Sequence, residues 1–104
     1  MPFRPAANIE DVPVGEVRVF RVDGVDVAVA NVGGTFYAID DVCSHDGGPL
    51  GEGRVFGDQV ECPRHGARFD VKTGRPRTLP AVMPVQTYPV EVEGNEIRVD
   101  VDAV

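Results

Sequence analysis

At 104 residues, 42% of them hydrophobic, the chain has room for one domain and a modest core, but not for a deep substrate cavity beside it. A formal charge of −7 argues against nucleic acid as a partner, because phosphate binding needs a basic face. No apolar run is long enough to cross a bilayer, and the opening Met1-Pro2-Phe3-Arg4-Pro5 has no signal-peptide core, so the expectation is a cytoplasmic protein with no membrane partner.

In chain order the pattern is all-β. Val17 to Val22 and Val25 to Val32 are valine-rich runs joined by Asp23-Gly24, a two-residue hairpin signal. In the second run Val25, Val27 and Val29 alternate with Asp26, Ala28 and Ala30, the period of a half-buried strand. Gly33-Gly34 then turns the chain into Thr35 to Asp40, which completes a meander. From Asp41 to about Pro89 the character changes. This stretch is rich in Gly and Pro, with short strand-like pieces at Val55-Phe56, Gln59 to Glu61 and Arg68 to Val71. Beyond it Tyr88, Val90 and Val92 alternate with Pro89, Glu91 and Glu93. Gly94-Asn95 makes a turn, and Ile97, Val99 and Val101 return as a second hairpin. No window shows an apolar stripe at helical spacing with caps. The parse is one domain over 1–104, a β scaffold at about 1–40 and 88–104 with a loop-rich insertion at about 41–87.

That insertion holds the two cysteines and the two histidines of the chain, as Cys43-Ser44-His45 and Cys62-Pro63-Arg64-His65, with 16 residues between His45 and Cys62. A structural disulfide is not expected in a reducing compartment, which leaves metal binding or inert buried thiols. Taken singly, a cysteine is more often a small apolar side chain and a histidine a satisfied surface group. Two Cys–His pairs in matching order are a far stronger signal. Thiolate and imidazole suit both iron–sulfur clusters and zinc, and two facing loops supply a Cys₂His₂ set for either. Gly47-Gly48-Pro49 and Gly66 follow the pairs, where glycine lets the backbone turn tightly and bring N–H groups close to a bound anion.

Cys-Ser-His-Asp-Gly-Gly-Pro-Leu and Cys-Pro-Arg-His-Gly-Ala-Arg-Phe-Asp resemble the two cluster-binding boxes of Rieske-type ferredoxins. The following Val71 to Pro76 and the Pro-rich Leu79 to Pro84 resemble that family's continuation and the loop that shields its cluster. The resemblance implies three antiparallel β-sheets with an inserted cluster-binding subdomain, and one [2Fe–2S] cluster per chain. It implies that Cys43 and Cys62 hold the buried iron, and that His45 and His65 hold the outer iron. Gly48 and Arg64 stand where the high-potential branch has an extra pair of cysteines. Ala67 and Phe69 stand where that branch has hydroxyls bonded to sulfur, so the resemblance is to the lower-potential branch. The activity implied is electron carriage without catalysis, by a monomer that binds no organic substrate. It runs from a flavin-dependent reductase to a terminal oxygenase that hydroxylates aromatic rings. A zinc module and the Rieske-like small subunit of a nitrite reductase are the alternatives. An oxygenase is disfavoured, because no histidine remains for a second iron site. A contact rim including Asp46, Leu50 and Pro80 is expected around the histidines, with the −7 charge steering the encounter.

Overall fold

Asp23 and Gly24 both take positive φ, 50° and 83°, as the central residues of a tight turn matched to strand twist must. They join β2 (Val17–Val22) to β3 (Val25–Val32), and β4 (Thr35–Asp40) follows in register, Ala30 opposite Tyr37 and Ala28 opposite Ile39. The computed structural model describes residues 3–41, 50–63, 66–77 and 84–102. Its remaining strands are β1 (Arg4–Asn8), β5 (Arg54–Phe56), β6 (Gln59–Glu61), β7 (Arg68–Asp70), β8 (Thr87–Tyr88), β9 (Val90–Glu93) and β10 (Glu96–Val99). They make three antiparallel sheets, in the orders β1-β10-β9, β2-β3-β4-β8 and β5-β6-β7. Two single-turn 3-10 helices, Ile9–Asp11 and Leu50–Glu52, are the only helical segments among the described residues.

From Val27 to Asn31 the middle sheet has no wet face along β3. Val27 and Val29 lie in one core with Val12, Val22, Ala38, Ile97 and Val99, which covers the side of the β1-β10-β9 sheet. Ala28 and Ala30 are equally buried in a second core with Ile39, Leu50, Val60, Cys62, Ala67 and Phe69, which covers the side of the β5-β6-β7 sheet. The half-buried reading of β3 is therefore corrected. The alternation separates two cores, larger side chains toward one and smaller toward the other. The small side chains leave room on the second side for Phe69 and Leu50, both wholly buried.

The C-terminal hairpin also differs from its sequence pattern. Tyr88 does not belong to it. Thr87 and Tyr88 pair with Ile39 and Ala38 at the edge of the middle sheet, and Val90 begins a strand of the β1-β10-β9 sheet. Pro89 lies between the two pairings, where a residue without an N–H cannot extend a ladder. Val92 faces water at 47% exposure although it pairs with the buried Ile97, because β9 is an edge strand.

Asn31 is the polar group on which the two halves of the meander converge. Only 4% exposed, it donates from Nδ2 to the Val12 carbonyl at 2.8 Å and accepts from the Gly34 N–H at 2.8 Å. Removing it leaves the carbonyl of the fully buried Val12 without this partner, at about 1–3 kcal/mol. Asn31→Ala is expected to lower the thermal midpoint by roughly 10 °C, as ~2 kcal/mol does in a domain of this size. Calorimetry of the intact protein checks this, and an unchanged midpoint contradicts it.

Candidate metal centre

The second Cys–His box lies on the connection from β6 to β7. The ladder of those strands runs out at Glu61 opposite Arg68, and the chain then closes on itself one step further. The Cys62 N–H donates to the Ala67 carbonyl at 2.6 Å, and the Gly66 N–H donates to the Cys62 carbonyl at 3.1 Å. Gly66 holds φ at 74°, a conformation that costs any side chain. Cys62 is a free thiol at 1% exposure, packed in the second core with Ala67 and Phe69, both fully buried. On the outer face Arg68 Nε donates to Glu61 Oε2 at 3.3 Å, and its guanidinium stacks 4.2 Å above the Phe56 ring. At partly exposed positions such a pair contributes little to stability.

The first box leaves from the end of β4, which is tied on both sides. The Asp40 N–H donates to the Gln86 carbonyl at 2.8 Å, and the Asp41 N–H donates to the Asp26 carbonyl at 3.3 Å. The chain re-enters the described structure at Leu50, buried in the same core as Cys62. Gly51 and Gly53 bring it against its neighbours. A Cβ on Gly53 would stand 1.8 Å from the Glu61 carbonyl oxygen, so the return of the first loop presses on the residue before Cys62. The Pro-rich stretch shares this root. The Arg77 N–H donates to the Arg68 carbonyl at 2.7 Å, Pro76 bridges Phe69, and the Val85 N–H donates to the Gly74 carbonyl at 2.8 Å. Three loops thus start and finish around one apolar cluster.

Of the four candidate ligands, Cys62 is within the described residues; Cys43, His45 and His65 lie outside them. So do Asp46 and residues 79–83 of the Pro-rich stretch. Among the described residues no group of three or more His, Cys, Asp or Glu gathers. What is described fits an iron–sulfur cluster. A buried free thiol at the mouth of a glycine-turned loop, lined by apolar side chains, is a soft donor sheltered from water. Leu50 corrects the expected contact rim: it is 0% exposed and holds the loop root instead of facing a partner. Asp41, Gly51 and Gly53 were not picked out from sequence. The available signal was an acidic residue two places before the first cysteine and two glycines just beyond the first box.

A groove of about 630 Å³ lies elsewhere, along the β4–β8 edge between Tyr37, Lys72 and Tyr88. Burial raises the Tyr88 hydroxyl above its ordinary range, and the Asp40 carboxylate adds to this. Asp40 is itself raised, chiefly by burial and also by Asp26, against a backbone hydrogen bond from Asp41. Among the described residues, none of the Cys62 loop lines this groove.

The chain and its fold of three antiparallel sheets are matched by known proteins. The chain belongs to the Rieske [2Fe-2S] domain family, whose model matches residues 3–89. It is 50% identical over 97 residues to the 3-phenylpropionate/cinnamic acid dioxygenase ferredoxin subunit of Shigella flexneri, covering 91% of this chain and 90% of that one. Among solved structures it is similar to the ferredoxin of carbazole 1,9a-dioxygenase from Nocardioides aromaticivorans, with TM-score 0.88 and 40% identity over 93% of this chain and 95% of that one. A ferredoxin solved in complex with the reduced oxygenase of carbazole 1,9a-dioxygenase gives TM-score 0.87 and 37% identity, over 94% and 92% of the two chains.

Ala67 and Phe69, both wholly buried beside Cys62, offer no hydroxyl. A donor to a cluster sulfur stabilises the extra negative charge of the reduced state, so this centre is expected toward the lower end of the Rieske range of about −150 to +300 mV. Ala67→Ser and Phe69→Tyr are each expected to raise the midpoint by tens of millivolts, where about 59 mV is a tenfold change in a one-electron equilibrium. Voltammetry of the single and double variants decides. A double variant at or below the wild-type midpoint contradicts the argument.

Proposed function

We propose that this chain is the ferredoxin of a multicomponent dioxygenase system, which holds its [2Fe–2S] cluster through Cys43, His45, Cys62 and His65. In this reading it takes single electrons from a flavin-dependent reductase and passes them to a terminal oxygenase acting on an aromatic substrate. The observation that carries the reading is the buried, unpaired Cys62 at the mouth of a closed hairpin loop, rooted in the same core as the return of the first box. Relatives of nearly the same length that are ferredoxin subunits of dioxygenases support it, as does a similar ferredoxin solved with its oxygenase.

The bound cluster supplies a one-electron couple, and imidazoles in place of two thiolates make the site less negative and easier to reduce. The chain supplies the surroundings. Burial of Cys62, Ala67, Phe69 and Leu50 keeps water from the inner side, and backbone hydrogen bonds hold Cys62 to Ala67 and Gly66. Small geometric change between states is what a carrier needs. A working compartment that keeps thiols reduced, the cytoplasm, is consistent with the free Cys62.

The charge expected to steer docking is unevenly placed. Within 41–87 six acidic residues (Asp41, Asp46, Glu52, Asp58, Glu61, Asp70) are matched by six basic ones (Arg54, Arg64, Arg68, Lys72, Arg75, Arg77). The whole surplus of −7 therefore belongs to the scaffold, including Glu91, Glu93 and Glu96 around the β9–β10 turn. Steering by the net charge acts through the far field of the scaffold, and salt is expected to slow the second-order transfer rate only modestly.

The purified protein is expected to be red-brown, with two irons and two acid-labile sulfides per chain. Each of Cys43→Ala, His45→Ala, Cys62→Ala and His65→Ala is expected to lose most of that iron, read by metal analysis and visible absorption. Colourless wild-type protein carrying one tightly bound zinc would end the proposal.

A further inference from the structure

The two loop mouths are closed by different means. At the Cys62 loop two hydrogen bonds are backbone to backbone, Cys62 N–H to the Ala67 carbonyl and Gly66 N–H to the Cys62 carbonyl. Between Asp41 and Gly51 the bond is made by a side chain. Asp41 Oδ1 accepts the Gly51 N–H at 2.6 Å across ten residues of sequence. On the reading that Cys43 and His45 are ligands, we propose that Asp41 is a positioning residue for the cluster, whose carboxylate holds Asp41 and Gly51, the described residues flanking those ligands in sequence, at one separation.

Both partners of this bond are themselves held. Asp41 continues β4, its N–H bonded to the Asp26 carbonyl, one residue beyond the Asp40 N–H to Gln86 carbonyl bond. Its carboxylate therefore projects from an anchored backbone. Gly51 has no freedom to retreat, because a Cβ there would stand 1.9 Å from Val19 Cγ2 and 3.0 Å from Asp41 Oδ1. Only a glycine backbone fits between β2 and the carboxylate. The residue before it, Leu50, is sealed in the core with Cys62. The bond is short, 2.6 Å, and spans ten residues of sequence. It fixes the separation of Asp41 and Gly51, and Leu50 beside Gly51 shares a core with Cys62. At the Cys62 loop the pairing of β6 with β7 brings the two sides together through backbone bonds.

The role is geometric, so the acceptor's position decides and its charge does not. Asp41→Asn keeps an oxygen at the same reach. Asp41→Glu keeps the charge and moves the acceptor outward by one methylene. Asp41→Ala removes the acceptor. Groups that orient ligands typically contribute about 10–100-fold to metal affinity. The test measures the rate of iron release to a chelator at neutral pH and the EPR spectrum of the reduced protein, with far-UV circular dichroism as the check on folding. Asp41→Ala and Asp41→Glu are expected to release iron at least about tenfold faster than wild type, with shifted g values and an unchanged far-UV spectrum. Asp41→Asn is expected to match wild type in both. If Asp41→Ala does not accumulate, the Asn and Glu variants still decide. Wild-type behaviour in Asp41→Glu with fast release in Asp41→Asn would show a role of charge and overturn the proposal. So would wild-type release and EPR in Asp41→Ala. A wild-type protein without iron would instead overturn the ligand reading on which this one rests, and the two failures are distinct.

Discussion

The hydrogen bond from the Cys62 N–H to the Ala67 carbonyl is the contact on which the rest of the arrangement depends. It extends the β6–β7 ladder by one step past its last paired residues, and so makes the loop beyond it a closed hairpin tip. Because the ladder alternates faces, closing it here places Cys62, Ala67 and Phe69 together in the second core. The same core receives Leu50 from the return of the first box and Val85 from the end of the Pro-rich stretch. A thiol in such a place is sheltered by packing that the fold needs in any case.

The scaffold makes this possible by using the middle sheet twice. Along β3 the valines serve one core and the alanines the other, so a single strand is buried on both faces without a helix. Parallel strands usually reach that state under covering helices; here two small antiparallel sheets do the covering. The charge follows the same division, with the net negative surplus in the scaffold and a balanced set of charges in the insertion.

Much of this was legible in the residues. The β2-β3-β4 meander and its turns follow from Asp23-Gly24 and Gly33-Gly34 between runs of β-branched residues, and the short strands of the third sheet stand where their pattern put them. The family was legible in the two Cys–His boxes. β1 was not, because Arg4-Pro5-Ala6-Ala7-Asn8 has no β-branched residue and pairs at a sheet edge through a bulge. The division at Pro89 was not, because Tyr88 keeps the alternation of the strand beyond it while pairing in another sheet. Leu50 read as a rim residue because it is the last residue of the first box, yet tertiary packing took it inside. The pairing of Asp41 with Gly51 depends on two segments meeting in space, which no local pattern carries.

The central claim is that one cluster is held jointly by cysteine and histidine from two loops. The chain has only two histidines, so isotope introduced through histidine reports on His45 and His65 alone. The most direct measurement is pulsed EPR on the reduced protein labelled with ¹⁵N-histidine. The account predicts hyperfine coupling from two distinct histidine nitrogens to the same [2Fe–2S] spin, lost one at a time in His45→Ala and His65→Ala where iron is retained. A reduced cluster signal with no coupled histidine nitrogen would contradict it.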